Sequence, residues 1–316
     1  MQNPVKIRPP FIQWGGHLQS IYPSLFRAVP IVYERERLEL EDGDFLDLDW
    51  HKVGSKKLII VTHGLEGDST RPYVTALIKL FSQQGIDGLG WNCRSCSGEI
   101  NRLPRFYHHG DAEDLRTVVE HAIRLGYDSI FLSGCSMGGS LTLRLLGEHP
   151  ERLPKEVMGA FVGSVPLDIY SSVRELDRPY KRFYMNRFLR KLKAKLMIKE
   201  QMFPGNELVS CRDFVHIKNF VDFDGRYTAP IHGYRSAFDF YEKASTKPLL
   251  HRVQVPTMIV QSLNDPFLGP ECYEPSDNPL IQFILTRNGG HVGFMVQGQE
   301  YTWTEKKALE FFQSLL

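Results

Sequence analysis

The run Ser129-Ile130-Phe131-Leu132-Ser133-Gly134-Cys135-Ser136-Met137-Gly138-Gly139-Ser140-Leu141-Thr142-Leu143-Arg144-Leu145-Leu146-Gly147 carries three structural signals in succession. Ile130-Phe131-Leu132 is a short apolar run of the kind a buried parallel strand uses. Leu141, Leu145 and Leu146 fall on one helical face, and Gly147 is a helix stop. Between them Gly134-Cys135-Ser136-Met137-Gly138 forms a G-x-S-x-G turn from strand to helix, the setting of a nucleophile elbow. A serine in so sharp a turn sits in strained backbone, and Gly134 and Gly138 remove the Cβ atoms that would crowd it. The turn lifts the Ser136 hydroxyl above the strand ends and leaves the Met137 N–H free at a helix N-terminus, where it can stabilise an oxyanion. A glycine-rich turn with an incidental serine is the plainer alternative. The strand before and the helix after favour the nucleophile.

Working outward, the neighbours alternate strand and helix. Leu58–Thr62 is a buried-strand run that ends in His63-Gly64-Leu65-Glu66-Gly67, and a helix with Val74, Leu77, Ile78 and Phe81 follows, stopping at Gly85. Next come a strand at Ile86–Trp91, a helix with Asp111, Glu113 and Asp114 in its first turn, and a strand at Gly159–Gly163. Val255–Gln261 and Ile281–Leu285 read as two further strands, with a closing helix marked by Ala308, Phe311, Phe312 and Leu315. Upstream, Arg37–Leu40 and Phe45–Trp50 alternate polar and apolar residues around Asp42-Gly43, which predicts a β-hairpin with one wet face. Residues 1–30, rich in proline and aromatics, are expected to pack along the domain as an arm. From about Leu167 to Asp224, basic residues surround Met185, Phe188, Leu189, Leu192 and Leu196 at helical spacing, which predicts a helical lid insertion. Its apolar face would cover a pocket and its charges would face water.

This alternation predicts an α/β fold: a mostly parallel sheet with helices on both faces, one domain over 1–316, with chemistry at the strand carboxyl ends. A serine needs a base oriented by an acid, in the chain order serine, acid, histidine. Asp265 lies just past the Val255–Gln261 strand, and His291 follows Asn288-Gly289-Gly290 after the last strand. Asp168 is the rival acid, and His63, His108, His109 and His232 are rival bases. Chain order favours Asp265 and His291. The second oxyanion donor is expected in the loop after the first buried strand, at the Leu65 N–H.

The 316 residues are 42% hydrophobic with a net charge of +1, which suits one large core and offers no global field for nucleic acid. Five scattered cysteines suit reduced thiols and a cytoplasmic setting. Met1–Lys6 lacks the apolar segment of a signal peptide, and no apolar run is long enough to span a bilayer. Cys93-Arg94-Ser95-Cys96 has neither a thioredoxin-like context nor a second ligand pair, so no redox or metal role is assigned, and no cofactor is expected. Cys135 reads as a core filler. The basic helix around Lys181–Lys199 leaves open a nucleic-acid or peripheral membrane contact, with the lid preferred.

The whole chain resembles the YheT-like branch of the α/β-hydrolases, the AB hydrolase-4 family. The resemblance rests on His17-Leu18-Gln19-Ser20-Ile21, His63–Gly67, Cys96-Ser97-Gly98-Glu99, Asn101-Arg102, Arg105–His108, Gly134–Gly139, Phe223–Pro230, Asn264–Phe267 and Gly289–Phe294. It implies a catalytic triad of Ser136, Asp265 and His291 and hydrolysis of short- to medium-chain carboxylic esters, with small-molecule or lipid acyl esters as partners. Relatives that pass the acyl group to an alcohol make acyl transfer, to an alcohol or a thiol, the second hypothesis. A non-catalytic binding protein on the same fold is the third. The sequence departs from the family around Asn92–Cys96, a loop expected to border the pocket. Phe223–Pro230 is expected to hold the lid hinge and not to meet substrate.

Overall fold

The computed structural model describes residues 3–316. Among these, eight strands form one sheet in the order β1-β2-β4-β3-β5-β6-β7-β8. Strands β1 (Glu34–Glu39) and β2 (Phe45–His51) form the antiparallel hairpin, and β2 also runs antiparallel to its inner neighbour β4. From there β3 (Lys57–Thr62), β4 (Asp87–Asn92), β5 (Ser129–Cys135), β6 (Val157–Gly163), β7 (Thr257–Ser262) and β8 (Ile281–Thr286) are all parallel. Helix α1 spans Gly15–Phe26, α2 Pro72–Ser82, α3 Glu113–Arg124 and α4 Met137–Gly147. Between β6 and β7 lie α5 (Ile169–Leu176), α6 (Arg182–Met202), α7 (Phe220–Phe223), α8 (Ala229–Ile231) and α9 (Ala237–Ala244), and α10 (Trp303–Gln313) follows β8.

Alternation along the strands sorts two cores, because successive side chains point to opposite faces. Ile59, Val61 and Phe131 join Val74, Ile78 and Phe81 of α2 and Phe312 of α10 on one face. Leu58, Ile60, Ile130 and Leu132 join Leu115 and Val118 of α3 and Leu145 of α4 on the other. A third cluster, with Val173, Met185, Leu189, Phe220, Tyr227 and Phe240, belongs to the helices between β6 and β7.

Several expectations need correction. The hairpin has no wet face on β2, whose residues 45–50 are all buried. Asp47 and Asp49 go inside because Arg37 and Arg35, opposite them in register, pair with them at 2.9 and 2.7 Å. Asp49 also accepts from Asn92 Nδ2 at 2.9 Å and from the Ser69 hydroxyl. The proline-rich arm contains α1, with Pro23 inside it, and Val5 makes a parallel bridge to Thr286, the last residue of β8. Helices continue past Asp224 as far as Arg252, so the predicted boundary falls within the run.

Nor do all the charges of α6 face water. Lys191 Nζ donates to the Glu66 carbonyl at 2.9 Å, Lys195 Nζ to the Glu66 carboxylate at 2.8 Å, and Lys199 Nζ to the carbonyls of Asn101 and Leu103. These three lysines recur every fourth residue on one helical stripe. Burial pushes the Lys199 ammonium down to about 8. They fasten α6 to the loops after β3 and β4.

Candidate active site

Strand β5 delivers Ser136 into the turn with φ 56° and ψ −125°, a conformation that costs a non-glycine residue roughly 1–3 kcal/mol. The turn closes only because its flanks lack side chains. A Cβ on Gly134 would strike the Gly138 carbonyl, and one on Gly138 would strike the Thr62 carbonyl of β3. The Ser136 N–H is held by the Gly163 carbonyl at 3.0 Å. Met137 opens α4, so its own N–H precedes any helical acceptor.

In the loop after β3, neighbouring amides are spoken for. Gly64 N–H donates to the Tyr73 hydroxyl and Glu66 N–H to the Tyr107 hydroxyl, each at 2.8 Å, while Gly67 N–H turns back to the Gly64 carbonyl. Among the described residues Leu65 N–H has no acceptor, and Leu65 lines the same space as Ser136. The Tyr107 hydroxyl returns its own proton to the Glu66 carboxylate at 2.7 Å, which pins a residue held at φ 55°.

Asp265 leaves the end of β7 and His291 the end of β8. The imidazole Nδ1 sits 2.9 Å and 3.1 Å from the two Asp265 carboxylate oxygens. The Phe267 N–H donates to the same carboxylate at 2.8 Å, and the Phe267 ring packs over the imidazole with centroids 4.2 Å apart. Ser136 and His291 line the same cavities. The Ser136 hydroxyl makes no hydrogen bond to the imidazole here, a contact that commonly tightens only around substrate.

What aims the histidine loop is α1, a contribution the sequence reading missed. Gln19 Oε1 accepts from Gly289 N–H at 2.8 Å and from Asn264 Nδ2 at 2.9 Å. Asn264 Oδ1 accepts from Gly290 N–H at 3.0 Å, and the Ser20 hydroxyl accepts from His291 N–H at 2.7 Å. One buried helix turn thus grips both loops. The quoted run His17–Ile21 was the available signal, since Gln and Ser are unusual in a stretch otherwise rich in apolar residues.

Of the rival groups, His63 and Asp168 are engaged elsewhere. Burial pushes His63 down to about 4, and its Nε2 accepts the Cys93 N–H at 3.1 Å. Asp168 caps α5 by accepting the Ser171 N–H at 2.8 Å. His108, His109 and His232 line the cavity beyond Ser136, and burial pushes His109 to about 4 and His232 to about 3. The Asn92–Cys96 loop does not border either cavity, contrary to expectation. Its arginine is buried instead, bonding Asp42 and Asp114 at 2.7 Å and Asp44 at 2.9 Å. Cys93 and Cys96 are buried free thiols, and burial pushes Cys96 up to about 11. Among the described residues, no group of three or more His, Cys, Asp or Glu is arranged to hold a metal ion.

Two cavities meet at Ser136, His291, Leu65, Phe188 and Phe267. One arm is apolar, walled by Val173, Leu176, Leu192 and Phe220. Phe223, Asp224, Tyr227 and Thr228 also line it, so the Phe223–Pro230 segment faces the cavity and is not merely a hinge. Burial pushes the Asp224 carboxyl up to about 6, though Thr228 and Tyr241 both donate to it. The other arm is lined by Arg27, Arg71, Arg187 and Lys191.

A parallel sheet with helices on both faces, bearing a serine on a strained strand-to-helix turn, defines an α/β-hydrolase. The chain belongs to that family: residues 57–297 match the model described as alpha/beta hydrolase fold. It is 34% identical over 287 residues to YheT of Escherichia coli (strain K12), provisionally named an esterase, covering 88% of this chain and 84% of that protein. It is 29% identical to human phospholipase ABHD3, covering 96% of this chain and 77% of that one. Among solved structures, an esterase of Pyrococcus furiosus superposes with a TM-score of 0.57 at 17% identity, covering 99% of both chains, a likeness of fold. Among the described residues, no helix is long and apolar enough to cross a membrane.

Proposed function

We propose that this chain is a serine carboxylesterase acting through an acyl-enzyme on Ser136. The observation that carries this reading is the His291–Asp265 pair lining the same cavities as Ser136, together with two amides that have no acceptor among the described residues. His291 Nε2 takes the Ser136 proton as Oγ attacks the ester carbonyl. The carbonyl oxygen becomes an oxyanion held by the Met137 and Leu65 N–H groups, which supply donors fixed before the charge develops. His291 then gives its proton to the departing alcohol. Water, deprotonated by the same imidazole, attacks the acyl-enzyme and releases the acid and free Ser136. Asp265 holds the tautomer with its proton on Nδ1 and stabilises the imidazolium.

The apolar arm suits the acyl chain, and the helices from α5 to α9 act as a lid that walls it. The names of the relatives, an esterase and a phospholipase, point to the same chemistry. Ser136→Ala is expected to lower kcat on p-nitrophenyl butyrate by roughly 10⁴–10⁶-fold and to abolish labelling by a fluorophosphonate probe. A variant that keeps either activity removes Ser136 from the mechanism.

A further inference from the structure

Ester hydrolysis by itself gives no reason for the charge in the second arm. Arg71 and Lys191 both donate to one neutral acceptor, the Glu66 carbonyl, at 3.2 and 2.9 Å. Two cationic heads converging on one carbonyl repel each other, and Lys191 is pushed down by burial first and by Arg71 and Arg187 after it. Arg187 lies one helical turn before Lys191 and, among the described residues, forms no ion pair or side-chain hydrogen bond. Arg71 meets Asp68 only at 3.6 Å. Arg27 differs, since Glu305 already neutralises it with two bonds at 2.5 and 2.7 Å.

Opposing negative charge is spent. Glu66 is the carboxylate among the residues lining this arm, and Lys195 and the Tyr107 hydroxyl already occupy it. Three cations therefore face the cavity with less than their share of anions, and two of them meet at the carbonyl of Glu66, the residue after Leu65. A cleft with this balance draws in and holds an anion. A carboxylate offers two oxygens, whereas a phosphate offers three or more and takes forked bonds from arginine, which matches three convergent donors better.

We propose that the second arm binds the alcohol portion of the substrate and that this portion carries a phosphate, held by Arg71, Arg187 and Lys191. The assignment of the arm to the alcohol rests on the ester reading above; the anion site itself rests on the cations. The ester bond then spans Ser136, with an apolar chain in one arm and a phosphorylated alcohol in the other.

Octanoylglycerol and octanoylglycerol phosphate share an acyl group and differ by the phosphate, and both are compared below their micelle-forming concentrations. The native protein is expected to favour the phosphate ester in kcat/KM by roughly tenfold or more at low salt, with the ratio shrinking at high salt. Arg187→Gln and Lys191→Gln are each expected to lower that ratio by about fivefold to tenfold. Because each protein is compared with itself, partial misfolding cancels from the ratio. A native ratio near one, or a ratio unmoved by both substitutions, overturns the proposal. Repeating the comparison with acetylglycerol phosphate separates the sources. A preference that persists marks soluble phosphorylated alcohols, and one confined to the octanoyl pair marks a lipid headgroup; each supports the site.

Calorimetric binding of the same two compounds to the Ser136→Ala protein needs no turnover. If no ester is cleaved by the native protein, the ester reading falls. Tighter binding of the phosphate compound would still uphold the anion site, and equal binding would dismiss it.

Discussion

Replacing Gln19 tests whether α1 sets the geometry of the histidine loop. Its side-chain oxygen is the acceptor for Gly289 N–H and Asn264 Nδ2, and its amide donates to the Gln13 carbonyl at 3.1 Å. Gln19 is 3% exposed, so an apolar replacement strands the first two donors away from water. Each stranded donor costs on the order of 1–3 kcal/mol, so the two together give about 2–6 kcal/mol for Gln19→Met. Methionine fills nearly the same volume, so a cavity adds little. Kinetically, a loop released by even one ångström moves the imidazole off Ser136, and kcat is expected to fall about 10²-fold with KM little changed. Urea unfolding followed by tryptophan fluorescence gives the stability term, and p-nitrophenyl butyrate hydrolysis at the same temperature gives the rate. A Gln19→Met protein within 0.5 kcal/mol of the native one, or equally fast, would refute the claim that α1 aims His291.

Tyr107→Phe removes the hydroxyl that accepts the Glu66 N–H and donates to its carboxylate; it is expected to cost about 2–4 kcal/mol and to lower kcat by roughly tenfold through the Leu65 amide next to it. Unchanged kcat in a destabilised protein would separate Tyr107 from the oxyanion loop. Acid should destabilise the fold. His63 stays neutral down to about 4, with burial the main cause and Lys195 opposing its charge while Asp68 and Glu66 favour it. The unfolded chain takes that proton near 6.5, so the stability held above 6.5 is lost as pH falls toward 4, by about 3 kcal/mol for this group. His109 and His232 act in the same direction. Asp224, raised to about 6 by burial, acts in the opposite direction between about 6 and 3.8, and is outweighed. Urea midpoints at pH 7 and pH 4.5 check the sign, and an equal or higher midpoint at pH 4.5 contradicts it.

Features set by short-range chemistry were legible beforehand. The elbow declares itself because glycine, serine and glycine must stand at fixed offsets in a turn that tight. Asp265 and His291 could be paired as candidates from chain order and from their places after apolar strand runs, and their side chains do meet at 2.9 Å. The contributions of distant partners were not legible. Asp47 and Asp49 look like a solvent-facing stripe until Arg35 and Arg37 are set opposite them across the hairpin. Lys191, Lys195 and Lys199 look solvated until the Glu66 carboxylate and the carbonyls of Glu66, Asn101 and Leu103 are known to lie beneath α6. Proline at 23 disguised α1, since its ring forbids one helical bond although the turns around it survive. Phe223–Pro230 read as a hinge because nothing local tells a residue that it faces empty space.

The grip of α1 on the far loops also sets the order of events during biosynthesis. Gln19 and Asn264 are separated by 245 residues, so at ordinary elongation rates the helix leaves the ribosome roughly 12–50 s before its partners exist. Through that interval Phe11, Trp14, Leu25 and Phe26, still exposed in the finished protein, belong to a segment with nowhere to dock. The serine turn can likewise form well before the pair it faces exists, since Asp265 and His291 follow Ser136 by 129 and 155 residues (265 − 136 and 291 − 136).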